Sequence, residues 1–194
     1  RHVIAEMKKI KEEIPIDYFT INDDAINLLP RDYIYEFCDV YKKEIGLPFS
    51  VQFRADRCEE DVIKALKDAG MSCANFGIET GDEDGANKNL KRNLSNEHIR
   101  NAFKIFNKYG IKCFSQNIIG LPVEDPVDDA MKTIKLNTEC KVTYAHFTLL
   151  IPFPKTPIEG FCKENGYLAE NSEYPQGLSP SVFTTTSLKF KNTK

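Results

Sequence analysis

The spacing of hydrophobic and polar positions changes along the chain, and these changes predict the order of the secondary structure. Short apolar or alternating runs rich in β-branched and aromatic residues are typical of strands, and apolar residues three and four apart are typical of helices. The predicted strands cover residues 16–22, 48–54, 73–80, 111–119 and 142–151.

Predicted helices precede and separate these strands, and glycine or proline follows most of them. They cover residues 1–13, 31–45, 58–69, 95–109, a segment that starts at Asp125-Pro126, and 158–164. Successive strands start roughly thirty to forty residues apart, as in right-handed βα units. The pattern therefore predicts an α/β fold with a parallel sheet and helices on its faces.

The last part of the chain follows a different pattern. From about Ala169 it is richer in Ser, Thr, Pro and Asn and lacks clear periodicity. Val182-Phe183 and Leu188 to Phe190 are its apolar segments, and we expect them to pair or pack elsewhere. We therefore divide the chain into a domain over residues 1–168 and a tail or extension over residues 169–194.

The composition narrows the class of protein. Of 194 residues, 41% are hydrophobic and 28% charged, which is ordinary for a globular domain. The net charge is -3 without a basic run, so nothing electrostatic favours nucleic acid or an anionic membrane. No apolar run is long enough to span a bilayer and no signal peptide is visible, so we expect a cytoplasmic location.

Six cysteines are scattered along the chain without a CxxC or CxxxCxxC motif. Such spacing fits neither a small disulfide framework nor a local metal site, and the three histidines are also far apart. Cys73 and Cys113 lie in apolar strand-like runs, which predicts that both are small buried hydrophobes. We therefore predict no metal ligands in this chain.

Polar residues and glycines gather where the predicted strands end. In parallel α/β folds, ligands bind at these carboxyl ends. The candidates, in chain order, are Asp23, Asp24, Arg54, Asp56, Glu79, Thr80, Gly81, Asn117, Gly120, Glu124 and residues 152–156. Acids, an arginine and an amide suit a ligand with an ammonium group, a carboxylate and sugar hydroxyls.

Each candidate also has an ordinary structural explanation. Asp23-Asp24 could mark a strand-to-helix turn, and Arg54 could form a surface ion pair. Arg92 could be a solvated charge. Residues 120–122 could form only a tight turn, and residues 152–157 could form a rigid loop. Glu79 is harder to explain this way, because an acid in an apolar strand is costly unless it is paired or bound.

Six motifs in chain order resemble the radical S-adenosylmethionine (SAM) enzymes, most closely the cobalamin-binding branch and its Fe-S oxidoreductase relatives. The resemblance covers residues 1 to about 168. The motifs are FTINDD at 19–24, RAD at 54–56, FGIETG at 76–81, LKR at 90–92, NIIGLPVE at 117–124 and IPFPKTP at 151–157.

The resemblance implies a partial (β/α)6 barrel of the TIM type. In this family a CxxxCxxC loop after the first strand holds a 4Fe-4S cluster. The methionine amino and carboxylate groups of SAM chelate its unique iron, and the reduced cluster generates a 5'-deoxyadenosyl radical that abstracts hydrogen from the substrate. The family also implies an electron donor such as flavodoxin or ferredoxin and a small-molecule or peptide substrate, and it brings in cobalamin as a further cofactor.

Family motifs that bind the methionine end of SAM fall in the first half of the chain. By position, Asp23 and Asp24 match the motif that receives the amino group. Glu79 and Arg92 would help hold SAM, with Arg92 on the carboxylate. Arg54 would lie on the substrate side.

Family motifs that bind the nucleoside end of SAM fall in the second half. Asn117, Gly120 and Glu124 match the motif beside the ribose and adenine. Pro152 and Thr156 match a loop near the adenine. Glu124 follows Gly120 by four residues, one more than in the commonest pattern, and Val123 replaces the glycine often found before the acid.

The chain also departs from the family. It has no CxxxCxxC loop, no strand before its first helix and no cobalamin-binding domain, and its first residue is Arg1 rather than Met. We therefore expect the barrel portion of a larger enzyme, with the cluster ligands upstream of this chain, and an isolated chain that is inactive. The alternatives are a non-catalytic barrel that lost its cluster loop, or an unrelated parallel-barrel hydrolase or lyase that uses Glu79 and Glu124 as an acid-base pair.

Overall fold

A computed structural model describes residues 2–85, 89–168 and 186–190. Its strands are β1 (Phe19–Ile21), β2 (Phe49–Phe53), β3 (Met71–Glu79), β4 (Lys112–Ile119) and β5 (Tyr144–Leu149). Its helices are α1 (His2–Glu13), α2 (Arg31–Glu44), α3 (Glu60–Ala69), α4 (Glu83–Gly85), α5 (Asn96–Lys108), α6 (Pro126–Glu139) and α7 (Pro157–Glu164). Among the described helices, none is both long and apolar enough to cross a membrane.

The five strands form one sheet in the order β1-β2-β3-β4-β5. β1 pairs with β2 in parallel, with Phe19 opposite Phe49, and β2 pairs with β3 in parallel, with Phe53 opposite Phe76. This sequential order with intervening helices confirms the predicted parallel α/β fold.

The predicted boundaries hold within a few residues except at the first strand. β1 covers three residues, whereas the sequence predicted a strand over residues 16–22. The ladder starts at Phe19 because its partner Phe49 is the first residue of β2. The length of β1 thus depends on where its partner strand begins, and the local sequence pattern carries no information about that.

The chain divides into two compact units, and the first comprises Arg1–Gly77, Glu97–Ser115 and Cys140–Tyr144. Its core is aromatic. The rings of Tyr41 and Phe49 lie 4.6 Å apart, and those of Phe76 and Phe103 lie 4.7 Å apart. Such tilted ring pairs stabilise a core beyond their buried area, and they fix α2 and α5 on strands β2 and β3.

The second unit comprises Ile78–Asn96, Gln116–Glu139 and Ala145–Lys194. Its buried apolar cluster contains Leu121, Leu150, Cys162, Leu168 and Leu188. The Lys189 amide also donates to the Tyr167 carbonyl over 2.8 Å. The prediction that Leu188 to Phe190 packs elsewhere is confirmed, whereas Val182-Phe183 lies outside the described residues.

Candidate functional site

Glu79 and Arg92 form an ion pair at the carboxyl end of β3. Arg92 donates to the Glu79 carboxylate over 2.5 Å, and the side chains are 26% and 17% exposed respectively. Burial raises the pKa of Glu79, although the nearby Arg92 charge opposes this shift. The pair thus brings two predicted site residues together and explains how an acid is tolerated after an apolar strand.

The backbone at Glu79 is unusual. Its φ of 66° lies in the left-handed region, which non-glycine residues rarely adopt. The Thr80 amide donates to the Ile78 carbonyl over 2.9 Å and so closes a three-residue turn centred on Glu79. Strained backbone of this kind is common where side chains must be aimed at a ligand.

Residues after this turn contact α6. The Thr80 hydroxyl donates to Asp129 over 2.6 Å, and the Gly81 amide donates to the Thr133 hydroxyl over 2.9 Å. Asp129 and Thr133 are buried, and burial raises the pKa of Asp129. Sequence reasoning missed both residues, although their spacing of four places them on one face of the helix.

Asn117 lies at the centre of a buried amide network. Its side-chain nitrogen donates to the His146 carbonyl over 3.0 Å, and its side-chain oxygen accepts from Asn137 over 2.8 Å. Asn137 also donates to the Thr133 carbonyl over 2.8 Å. Asn117 therefore ties the end of β4 to β5 and to α6, and its role as a cofactor contact stays a prediction.

Gly120 begins the tight turn after β4. Its φ is 72°, and a carbon of the Phe190 ring lies 3.4 Å from where a Cβ would stand. Glycine is favoured here by its positive φ and by this close neighbour. The turn predicted at residues 120–122 is therefore present, with the chain's own C-terminal segment packed against it.

Glu124 is exposed and lines a cavity of about 350 Å³ in the second unit. Asp82 and Asp84 add further carboxylates to its wall, and Phe161 and Tyr167 add stacked rings 6.4 Å apart. The cavity lining thus combines carboxylates with aromatic rings.

The loop after β5 leads into α7. Pro152 is buried, and the Thr156 hydroxyl caps the helix by accepting from the Glu159 amide over 3.4 Å. The same hydroxyl donates to the Phe153 carbonyl over 2.6 Å. Thr156 therefore has a defined structural role, and its predicted place near adenine stays a prediction.

Asp23 and Asp24 are exposed in the first unit and line a cavity of about 260 Å³. The Asp24 amide donates to the Asp23 carboxylate over 2.8 Å, as in an aspartate-marked turn. The remaining lining is mainly apolar and includes Ile21, Leu28 and Phe37. Two carboxylates in a mainly apolar lining suit an ammonium group attached to an aliphatic chain.

Arg54, also in the first unit, forms two hydrogen bonds of 3.0 Å with Asp56. The Arg54 guanidinium lowers the pKa of the Asp56 carboxyl. Asn27 holds the backbone of Arg54, accepting from its amide over 3.0 Å and donating to its carbonyl over 2.8 Å. The ordinary ion-pair explanation for Arg54 is therefore realised in the structure.

The thiols do not fit an iron-sulfur cluster. Among the described residues there is no group of three or more His, Cys, Asp or Glu that could hold a metal ion. Burial raises the pKa of Cys38, Cys58 and Cys113 to about 12, which disfavours the thiolate needed for ligation. Cys113 is buried as predicted, but Cys73 is only partly buried, because side chains on successive residues of β3 point to opposite faces.

The family model described as the Radical SAM superfamily matches residues 1–136. Two curated relatives are methyltransferases by name. An uncharacterized methyltransferase of Pyrococcus horikoshii is 24% identical over 86% of this chain and 36% of its own length. The cytidylyl-2-hydroxyethylphosphonate methyltransferase of Streptomyces wedmorensis is 27% identical over 96% of this chain and 36% of its own length. The chain thus spans a little over a third of these relatives.

One similar solved structure is the radical S-adenosylmethionine methyltransferase TsrM from Kitasatospora setae, with cobalamin and a [4Fe-4S] cluster bound. The TM-score is 0.73 at 18% sequence identity, and the match covers 94% of this chain and 37% of TsrM. At this identity the match shows a shared fold.

Proposed function

The chain belongs to the radical SAM superfamily, and from this premise we propose that it is the SAM-binding barrel portion of a radical enzyme. The observation that carries the proposal is the partly buried Glu79–Arg92 pair at the carboxyl end of β3, where α/β folds bind ligands. The whole protein's activity is part of the proposal, since the chain spans only 36% of its curated relatives.

The described residues fit SAM through charge and hydrogen bonding. The Arg92 guanidinium suits the methionine carboxylate, which it can bind with two parallel N–H groups. Glu79 accepts hydrogen bonds, as a ribose hydroxyl or an ammonium group requires. Asp23 and Asp24 are exposed beside an apolar wall and suit the methionine ammonium group.

The nucleoside half of SAM is proposed to lie against the turn after β4 and the loop after β5. Gly120 and Glu124 are its proposed neighbours on the first of these, and Pro152 and Thr156 on the second. Asn117 supports that turn through its bonds to β5 and α6. Arg54 is proposed to lie on the substrate side.

The cluster ligands are proposed to lie outside these residues, because the thiols described here do not fit a cluster. In this superfamily, SAM beside a reduced 4Fe-4S cluster supplies a 5'-deoxyadenosyl radical. We include cobalamin for the intact protein because the structurally similar TsrM has it bound. A flavodoxin- or ferredoxin-type protein is the proposed electron donor.

Methyl transfer is the reaction class favoured by the relatives, since both curated relatives quoted above are methyltransferases by name. The substrate is proposed to be a small molecule or a peptide. Membership in the superfamily overturns the alternative of an unrelated hydrolase or lyase, and Glu79 is held by Arg92 rather than by a second acid.

Calorimetric titration of SAM into the full-length protein, reconstituted anaerobically with iron and sulfide, tests the proposal. We expect binding by the wild type and a loss of about tenfold or more in affinity for Arg92→Gln, because a charge-assisted hydrogen bond is lost. Arg57→Gln changes an exposed arginine outside the proposed site and should bind as the wild type does. A full-length protein that takes up no iron and binds no SAM overturns the proposal in favour of a non-catalytic barrel.

A further inference from the structure

The segment after β3 is fastened to α6 by side chains that the proposed cofactor contacts do not include. We propose that Thr80, Asp129 and Thr133 are positioning residues that hold Glu79, and through it Arg92, in place for SAM. This inference rests on the proposed function and extends it to residues that hold the segment directly after Glu79.

The backbone conformation of Glu79 depends on support from its neighbours. A three-residue turn with positive φ is strained, so a glutamate keeps this conformation only where neighbouring contacts enforce it. The hydrogen bond from the Thr80 amide to the Ile78 carbonyl closes the turn. Contacts to Thr80 and the residues that follow therefore help to enforce this turn, in addition to the bond from Arg92 to the Glu79 side chain.

Side-chain hydrogen bonds hold the residues that follow Glu79. The Thr80 hydroxyl donates to Asp129 over 2.6 Å and accepts from the Asp82 amide over 2.9 Å. The Gly81 amide donates to Thr133 over 2.9 Å. Thr80, Asp129 and Thr133 are all buried, so these bonds are shielded from water.

Gly81 lies close to the backbone of α6. A Cβ at Gly81 would lie 2.6 Å from the Lys132 carbonyl carbon and 2.8 Å from the Thr133 nitrogen. The Asn96 side chain donates to the Gly81 carbonyl over 2.8 Å. Both backbone polar groups of Gly81 are thus bonded to side chains, which leaves the preceding residue little freedom to relax.

The buried carboxylate of Asp129 has an energetic cost for the folded state. One of its carboxylate oxygens is buried without a hydrogen-bond partner in the described chain. Such an oxygen destabilises a fold, and a residue chosen for packing alone would not carry it. Its other oxygen accepts from Thr80, so the structure assigns the benefit of this acid to the turn beside Glu79.

Positioning matters because a binding group must be held within about half an ångström of its productive place. Releasing Thr80 would let the Glu79 turn relax toward ordinary backbone geometry and would move its carboxylate. Arg92 would follow, because it is bonded to that carboxylate. The expected effect is weaker SAM binding, although none of the three positioning residues is among the proposed cofactor contacts.

The test compares Thr80→Val with Thr80→Ser in the full-length reconstituted protein, with SAM affinity measured by calorimetry. We expect Thr80→Val to weaken binding about fivefold to tenfold, and Thr80→Ser to retain nearly full affinity because it keeps the hydroxyl. Thr138→Val is the matched control. Its hydroxyl also donates to an oxygen of α6, the Ile134 carbonyl, over 2.9 Å, but Thr138 is exposed and lies outside the proposed set, so this variant should bind as the wild type does.

A double-mutant cycle with Glu79→Gln separates positioning from general destabilisation. If Thr80 acts through Glu79, Thr80→Val should have little further effect once Glu79 is changed. Additive losses, or Thr80→Val binding as tightly as the wild type, overturn the inference. If Thr80→Val does not fold by circular dichroism, Thr133→Val takes its place in the cycle under the same criteria.

Failure of the inference and failure of the proposed function give different results. A wild type that binds no SAM removes the proposed function and this inference with it. A wild type that binds SAM and loses affinity on Arg92→Gln, but shows an additive cycle, retains the proposed function and overturns the inference alone.

Discussion

The Arg92 guanidinium bonds to the Glu79 carboxylate across thirteen residues of chain, and each side chain is less than a third exposed. The pair therefore belongs to the folded structure as well as to the proposed site. Neither charge is in full contact with water, so removing one partner leaves the other poorly solvated.

Arg92→Gln is expected to lower the free energy of unfolding by up to about 3 kcal/mol, because the Glu79 charge is then left without its partner. Glu79→Gln combined with Arg92→Gln should be more stable than Arg92→Gln alone, since no unpaired charge remains. Urea unfolding followed by circular dichroism measures both. If the double variant is the less stable of the two, the pair does not have this role.

Gly81→Ala is expected to destabilise the fold by about 1–3 kcal/mol, because the added methyl meets backbone atoms of α6. Gly160→Ala is the matched control within α7, where an added Cβ meets nothing within 4 Å. Alanine favours helix over glycine, so this control should gain about 0.5–1 kcal/mol. Thermal unfolding of the two variants should shift in opposite directions, and equal shifts would count against the close contact at Gly81.

Asp129 gives stability a defined pH dependence. Burial raises the pKa of Asp129 above its ordinary value of 3.8, so the folded state holds the proton more tightly than the unfolded state. The stability that Asp129 contributes through this tighter proton binding is fully present below pH 3.8, and it is lost as the pH rises through the pKa of the folded state. Asp129→Asn keeps an acceptor for Thr80 and should remove this part of the pH dependence.

The measurement is the free energy of unfolding against pH, from urea titrations of the wild type, Asp129→Asn and Asp128→Asn. Asp128 is the exposed neighbour on α6, and Asp128→Asn should keep the loss of stability that Asp129 causes at rising pH. A wild-type profile with the same slope as Asp129→Asn would show that Asp129 does not titrate in this way.

The buried thiols should react slowly. Burial raises the pKa of Cys38 and Cys113 to about 12 and that of Cys162 to about 11, so little thiolate is present at pH 8. Iodoacetamide followed by mass spectrometry should label these three positions in urea but not in buffer. Rapid labelling under native conditions would contradict the burial described here.

The same thiols bear on metal content. Anaerobic treatment of this 194-residue chain with iron and sulfide is expected to leave no bound cluster, because its cysteines lack the CxxxCxxC spacing and four of the six are buried. An iron assay and an absorbance spectrum after desalting measure the result. Stoichiometric iron in the isolated chain would overturn the expectation that the ligands lie elsewhere.

Sequence reasoning located the strands and helices because their periodicity is a local property. It also singled out Glu79, since an acid after an apolar strand requires a partner, and the structure supplies Arg92. The two residues are separated by a loop, so their pairing depends on how the chain folds back. The sequence suggested both residues but not the bond between them.

The residues behind the site were not predictable in the same way. On α6 the apolar side chains of Val127, Met131 and Ile134 are 65%, 57% and 45% exposed, whereas Asp129 and Thr133 are buried. The rule that apolar residues face the core therefore fails for these three apolar residues, although it holds for Leu136, which is 2% exposed. Asp129 and Thr133 are buried there because they accept hydrogen bonds from the Thr80 hydroxyl and the Gly81 amide, which follow β3.

The strand order has a consequence for how the chain folds. In the sheet each strand lies beside the one that precedes it in sequence, so successive pairings close loops of modest length. The β1–β2 ladder needs only residues up to Phe53, and β3 adds to it by residue 79. The sheet can therefore grow strand by strand as the ribosome delivers the chain, with the earlier strands forming the edge onto which each later strand docks.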